Sequence, residues 1–179
     1  MDALTQIDAL GPVLAGVMSG ISEDQLDNKT PCTEYTVRGV LEHMISGATA
    51  FASTFRGEEP AEAPLADVLA EIDPALTELF ASMHLPGALD GTVQAPFGEV
   101  PRETFARFVV LDGLVHGWDL SVSTGQTYDP PTALVDAVAA FAAEAVPPLR
   151  NGVTFGPEIE CGADATPIER LAALTGREK

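Results

Sequence analysis

Asp112 and His116 stand four residues apart in Asp112-Gly113-Leu114-Val115-His116-Gly117-Trp118-Asp119-Leu120, within an apolar run from Phe105 to Gly125. On a helix, residues four apart lie one above the other on the same face. Phe105, Phe108 and Val109 share roughly that face, so it is expected to turn inward. An inward carboxylate is costly unless it is paired or bound to a cation, and an inward imidazole must satisfy both ring nitrogens. Two arrangements meet these demands: a metal ion held by the pair, or a plain Asp–His hydrogen bond inside a helical core. The stretch alone does not choose between them.

A third donor bears on the choice. His43 sits at the edge of an apolar stripe formed by Val37, Val40, Leu41, Met44, Ala48 and Phe51. Gly39 and Gly47 bracket it at four residues on either side, leaving room for another helix to approach. A single histidine in such a place is ordinarily a satisfied core residue. Together with Asp112 and His116 it completes a set of two imidazoles and one carboxylate, with a position left for water or substrate. That is the pattern of a catalytic metal site rather than a closed structural one. Zinc is the first expectation, and nickel, iron or manganese also accept such a set. Asp119, at i+3 from His116, is the candidate catalytic residue: it is placed to orient His116 or to handle a proton on bound water. The alternative is an ordinary solvated or hydrogen-bonded aspartate. Arg38 and Arg107 either bind an anionic substrate group or face solvent. His84 is expected at a helix end, where its charge suits the C-terminal dipole.

Four long amphipathic segments must position these residues. Leu4, Ile7, Leu10, Leu14, Val17 and Ile21 recur at helical spacing over residues 2–21. Thr36 is an N-cap for a helix over residues 37–55, with Tyr35 and Val40 as its hydrophobic staple. After a Glu/Pro/Ala linker from Gly57 to Pro64, a third stripe runs from Leu65 through Val68, Leu69, Ile72, Leu76, Leu79 and Phe80 to Met83. It keeps its phase across Pro74, which predicts a kink or short break and not a new element. Asp90 to Pro101 reads as a crossover with a short strand, Thr92–Ala95, and a turn at Pro96-Phe97-Gly98. The fourth helix spans residues 101–123. Pro130-Pro131 opens a fifth helix, closed by Pro147-Pro148. In the tail, Glu158–Cys161 reads as a short strand, and Thr166-Pro167-Ile168-Glu169 is a capping box opening a last helix to Leu174. The expected organisation is a helical bundle over residues 1–150 with an extension, 151–179, packed on it.

The formal net charge is −18 over 179 residues, which repels nucleic acid and anionic lipid. Cys32 and Cys161 show no metal-type spacing and form no disulfide framework, so both are expected to be reduced and structural. The first residues carry no basic and apolar leader, and no apolar run reaches the length that spans a bilayer. A cytoplasmic protein with a small-molecule substrate is expected, without nucleic-acid or membrane partners and with a homodimer left open.

Several of these residues carry a family resemblance. Thr30-Pro31-Cys32, Tyr35-Thr36-Val37-Arg38 and Leu41-Glu42-His43 are followed by Asp112, His116-Gly117-Trp118-Asp119-Leu120 and Thr124-Gly125-Gln126. Together they resemble the DinB-like metal-binding superfamily, and most closely the branch related to the N-terminal domain of mycothiol-dependent maleylpyruvate isomerase. The tail, Phe155-Gly156-Pro157, Ala165-Thr166-Pro167 and Leu174-Thr175-Gly176-Arg177, is similar to the same branch. The resemblance implies an all-α, DinB/YfiT-like four-helix bundle with a long crossover and a short α/β C-terminal extension. It also implies a divalent metal on His43, Asp112 and His116, where the isomerase has glutamate at the Asp112 position and many relatives have histidine. The implied activities are those of a thiol-dependent transferase or isomerase, with mycothiol as cosubstrate, or of a metal-dependent hydrolase. A non-catalytic metal- or ligand-binding bundle is the alternative.

Overall fold

A computed structural model describes residues 1–59, 62, 65–150 and 155–178. Residues 60, 61, 63 and 64 of the expected linker and the first four residues of the expected extension, 151–154, lie outside the described residues. The described chain is all-α apart from one hairpin: α1 (Ala3–Ser19), α2 (Val37–Arg56), α3 (Val68–Met83), β1 (Thr92–Ala95), β2 (Gly98–Pro101), α4 (Arg102–Thr124), α5 (Thr132–Ala145) and α6 (Pro167–Leu174). Helix α2 packs chiefly on α3, and α1 chiefly on α4, with further contacts of α1 to α3 and α2 to α4 closing the four-helix bundle. Among the described residues, no helix is long and apolar enough to cross a membrane.

The helix starts follow local chemistry. Asp2, Thr36 and Asp67 each accept from the backbone N–H three residues on, satisfying a donor that the first turn leaves free. Thr166 and Glu169 form a full capping box ahead of α6. Helices α2 and α4 each end at a glycine in the left-handed region, Gly57 (φ 76°) and Gly125 (φ 70°). Helix α3 runs through Pro74 as one element but begins at Val68, so Leu65 stays outside it, exposed. A bundle needs only the stripe from Val68 to Met83, and Asp67 caps the chain before Leu65 can join.

Two other expectations are corrected. The crossover is a β-hairpin, not one strand and a turn: Thr92 pairs with Pro101 and Ala95 with Gly98. Glu158–Cys161 forms no strand, because its alternating residues find no edge to pair with. Ile159 instead donates its N–H to the carbonyl of Ala173 at 3.0 Å. The described part of the extension is therefore helical and irregular, with α6 packed on α5 and α4.

The face of α4 next to the candidate site is built for close approach. A Cβ on Gly113 would meet Leu10 at 3.0 Å, and one on Gly117 would lie 2.9 Å from Leu14 and 2.5 Å from the Tyr128 hydroxyl. That hydroxyl donates to the Leu114 carbonyl at 2.8 Å. Helix α1 is thus seated on a glycine groove of α4, which fixes how α4 is turned. Gly117→Ala is expected to cost about 1–3 kcal/mol through overpacking. A urea titration would show a lower midpoint with an unchanged slope.

Candidate metal centre

Steps of three and four along α4 place Phe105, Phe108, Asp112, Val115 and His116 on one side, all lining a cavity of about 400 Å³. Helix α2 brings His43 to the same cavity. The side chains of His43 and Asp112 keep 39% and 43% of their surface accessible, against 4% for His116. The group therefore opens on one side and is walled on the other.

His43 Nε2 and His116 Nε2 each lie 3.5 Å from Asp112 Oδ1. One donor atom from each of the three residues falls within 4.8 Å of the others. At 3.5 Å neither imidazole makes a good hydrogen bond to the carboxylate. For a zinc ion with bonds near 2.1 Å, however, the edge of a ligand tetrahedron is about 3.4 Å. The donor spacing fits the edge of a metal site better than it fits direct pairing.

His116 shows why its Nε2 faces the group. Its Nδ1 lies 3.0 Å from Asp119 Oδ2, with the ring N–H donating to the carboxylate. That bond puts the ring proton on Nδ1 and leaves the Nε2 lone pair directed at Asp112. With the Asp112 carboxylate facing it, Nε2 is satisfied either by a proton of its own or by a cation held between the two atoms. The carboxylate of Asp112 draws a proton onto His43 and raises its pKa, despite partial burial and the nearby Arg177 charge. Burial works against the charge on Asp112, yet His116, His43 and Arg177 outweigh it and bring its pKa down to about 2.

Asp119 itself has no exposed surface and does not line the cavity. Behind it, Arg177 approaches Asp119 Oδ2 at 3.5 Å from the tail of the chain. Asp119 Oδ1 has no hydrogen-bond partner among the described residues. Arg177 also faces Cys32 Sγ at 3.8 Å and lines the cavity with it. Burial raises the Cys32 pKa above the ordinary thiol value, Arg177 only partly opposing it.

Other expected residues fall elsewhere. His84 caps the end of α3 and pairs with Asp8 at 2.9 Å, away from the cavity. Arg107 pairs with Glu103, Arg38 is exposed, and neither lines the cavity. At Gly39 the nearest neighbour is a ring of the same segment and not another helix. A Cβ on Gly39 would press on the Tyr35 ring at 3.1 Å, so that glycine seats the ring, whereas one on Gly47 would make an ordinary contact with the Phe51 ring at 3.4 Å. Tyr35 stacks on His43 with centroids 5.6 Å apart, and His43 meets His116 edge-on at 4.9 Å.

Comparison with known proteins shows the family of the chain. The family model of the mycothiol maleylpyruvate isomerase N-terminal domain matches residues 7–121, a span that contains His43, Asp112, His116 and Asp119. Two uncharacterised proteins of Mycobacterium tuberculosis, from strains CDC 1551 / Oshkosh and ATCC 25618 / H37Rv, are each 33% identical over 182 residues. The alignments cover 99% of this chain and 98% of each relative. No solved structure matches the chain.

Proposed function

Because this chain belongs to the mycothiol maleylpyruvate isomerase N-terminal domain family, within the DinB/YfiT-like superfamily, we propose that it is a small metalloenzyme. In this reading His43, Asp112 and His116 hold one divalent ion, zinc first among the candidates, for attack on a small electrophilic substrate. The observation that carries the reading is the convergence of three donor atoms within 4.8 Å at the wall of a cavity. A divalent ion supplies, when bound, a lowered pKa for a thiol or a water, so that either is a nucleophile at neutral pH. The family favours mycothiol as that thiol.

The residues of the chain have distinct parts. His43 and His116 offer neutral nitrogens, and Asp112 offers the negative charge. Asp119 acts as a positioning residue: its bond to Nδ1 fixes the tautomer and the tilt of the His116 ring. Arg177 brings the opposite charge beside the buried Asp119, where an unpaired carboxylate would be costly. Tyr35 limits how far the His43 ring can swing. Among the described residues the group has no fourth His, Cys, Asp or Glu member, and the cavity opens beside it. Both points favour turnover over a closed binding site.

Cobalt substitution tests the thiol. Titration of the cobalt-loaded protein with mycothiol is expected to produce a thiolate-to-cobalt charge-transfer band near the ultraviolet. A silent titration with cobalt retained would turn the reading towards hydrolysis.

A further inference from the structure

Beyond the three donors the cavity is walled by phenylalanine. Phe105 and Phe108 lie one turn apart on the α4 face that carries Asp112. Phe51 of α2 meets Phe105 edge-on, with centroids 4.9 Å apart. Phe97, on the turn between β1 and β2, reaches across to Phe108 at 4.7 Å, and Phe141 of α5 backs Phe108 at 5.0 Å. The rings are fixed by one another, yet Phe51, Phe97 and Phe108 are only half buried. A preorganised cavity that keeps apolar surface open to solvent is what a ligand site requires, because an occupant gains the burial that the fold has forgone.

Positive charge is scarce in the same cavity. Arg177 is the one Lys or Arg among its described lining residues. Its guanidinium is already directed at Asp119, the Thr175 carbonyl and Cys32 Sγ. Glu34 and Asp112 bring negative charge to the lining. Away from the three donors, a carboxylate on the body of a substrate would therefore meet one committed cation and the acid Glu34, at the cost of stripping water from its charge. A neutral, flat, apolar body would meet ring faces and edges on two sides.

We infer that the cavity takes a substrate whose body is a neutral aromatic or conjugated hydrocarbon group, seated among Phe51, Phe97, Phe105 and Phe108. Its polar, reactive end is directed at His43, Asp112 and His116. The direction of the reactive end rests on the metal-site reading; the seat of the body does not. Phe97 reaches the site from a hairpin outside the helical bundle, so the hairpin is the element that sets which body fits.

N-phenyl-1-naphthylamine, a neutral probe that brightens in apolar surroundings, tests the inference on the full chain, with and without zinc. Saturable binding of one probe per chain is expected in both forms. Phe97→Ala and Phe108→Ala are each expected to weaken it roughly tenfold, and maleate is expected not to displace the probe from metal-free protein. Phe97 lies on the hairpin turn and is only half buried, so Phe97→Ala decides alone if Phe108→Ala fails to fold by circular dichroism. Absence of saturable binding, binding unaffected by Phe97→Ala, or displacement by maleate at lower concentration than the probe would overturn the inference. Probe binding with the expected loss in Phe97→Ala, in a protein that takes up no zinc, would uphold the apolar seat and count against the metal reading.

Discussion

His43→Ala and His116→Ala are each expected to purify without metal and to bind zinc roughly a thousandfold more weakly than the parent protein. If three protein ligands share about 12 kcal/mol of zinc affinity, losing one costs about 4 kcal/mol, and each 1.4 kcal/mol is a factor of ten. His43 is the cleaner variant, because its side chain is half exposed and its loss leaves the interior intact. His116 is buried and bonded to Asp119, so its alanine variant loses stability as well as metal. Elemental analysis of chelator-free preparations, with circular dichroism to check folding, reads both effects. Full occupancy in both variants would mean that the ligands lie elsewhere. Protons compete at the same atoms. Asp112, with a pKa of about 2, stays ionised across the neutral range. His43, raised above its ordinary 6.5, takes up a proton first, so zinc affinity should fall as pH drops from neutral.

Asp119→Asn is expected to weaken metal binding or turnover by about 10- to 100-fold, the usual effect of altering the partner of a ligand histidine. The substitution preserves shape. It removes the charge that Arg177 and His116 share, and it places an amide N–H₂ either against the ring N–H or where Asp119 Oδ1 now has no partner. Asp119→Ala should go further. It strands the guanidinium and the ring N–H together, and breaking such a buried pair costs about 3–5 kcal/mol. Urea titration separates the two variants: Asn should show a modest loss of stability and Ala a large one. An Asn variant with unchanged zinc affinity and unchanged turnover would remove Asp119 from the account.

Whatever depends on helical spacing could be read in advance. Asp112 and His116 share a face because they are four apart, and Asp119 reaches Nδ1 of His116 because it is three further on. Thr36 and Thr166 cap where their positions before apolar runs say they should. His43 belongs to another helix, and its meeting with Asp112 depended on bundle packing, which the four amphipathic stripes suggested and the family resemblance then supported. Long-range contacts were illegible. Arg177 meets Asp119 across 58 residues with no periodic signal to join them. The one hint was its place in the Leu174-Thr175-Gly176-Arg177 tail motif. The return strand Gly98–Pro101 was missed because four residues including a glycine and a proline carry little strand propensity, and pairing with β1 decides their conformation. Glu158–Cys161 erred the other way, with strand-like alternation and no partner. The role of Gly39 was misread because space beside a glycine can seat a ring as well as a helix.

X-ray absorption at the zinc edge of the loaded protein tests the ligand set most directly. The account predicts a first shell of nitrogen and oxygen alone near 2.0–2.1 Å, with the multiple scattering of two imidazoles and room for one non-protein light atom. A sulfur at about 2.3 Å, as Cys32 would supply, or scattering from a single imidazole, would contradict it.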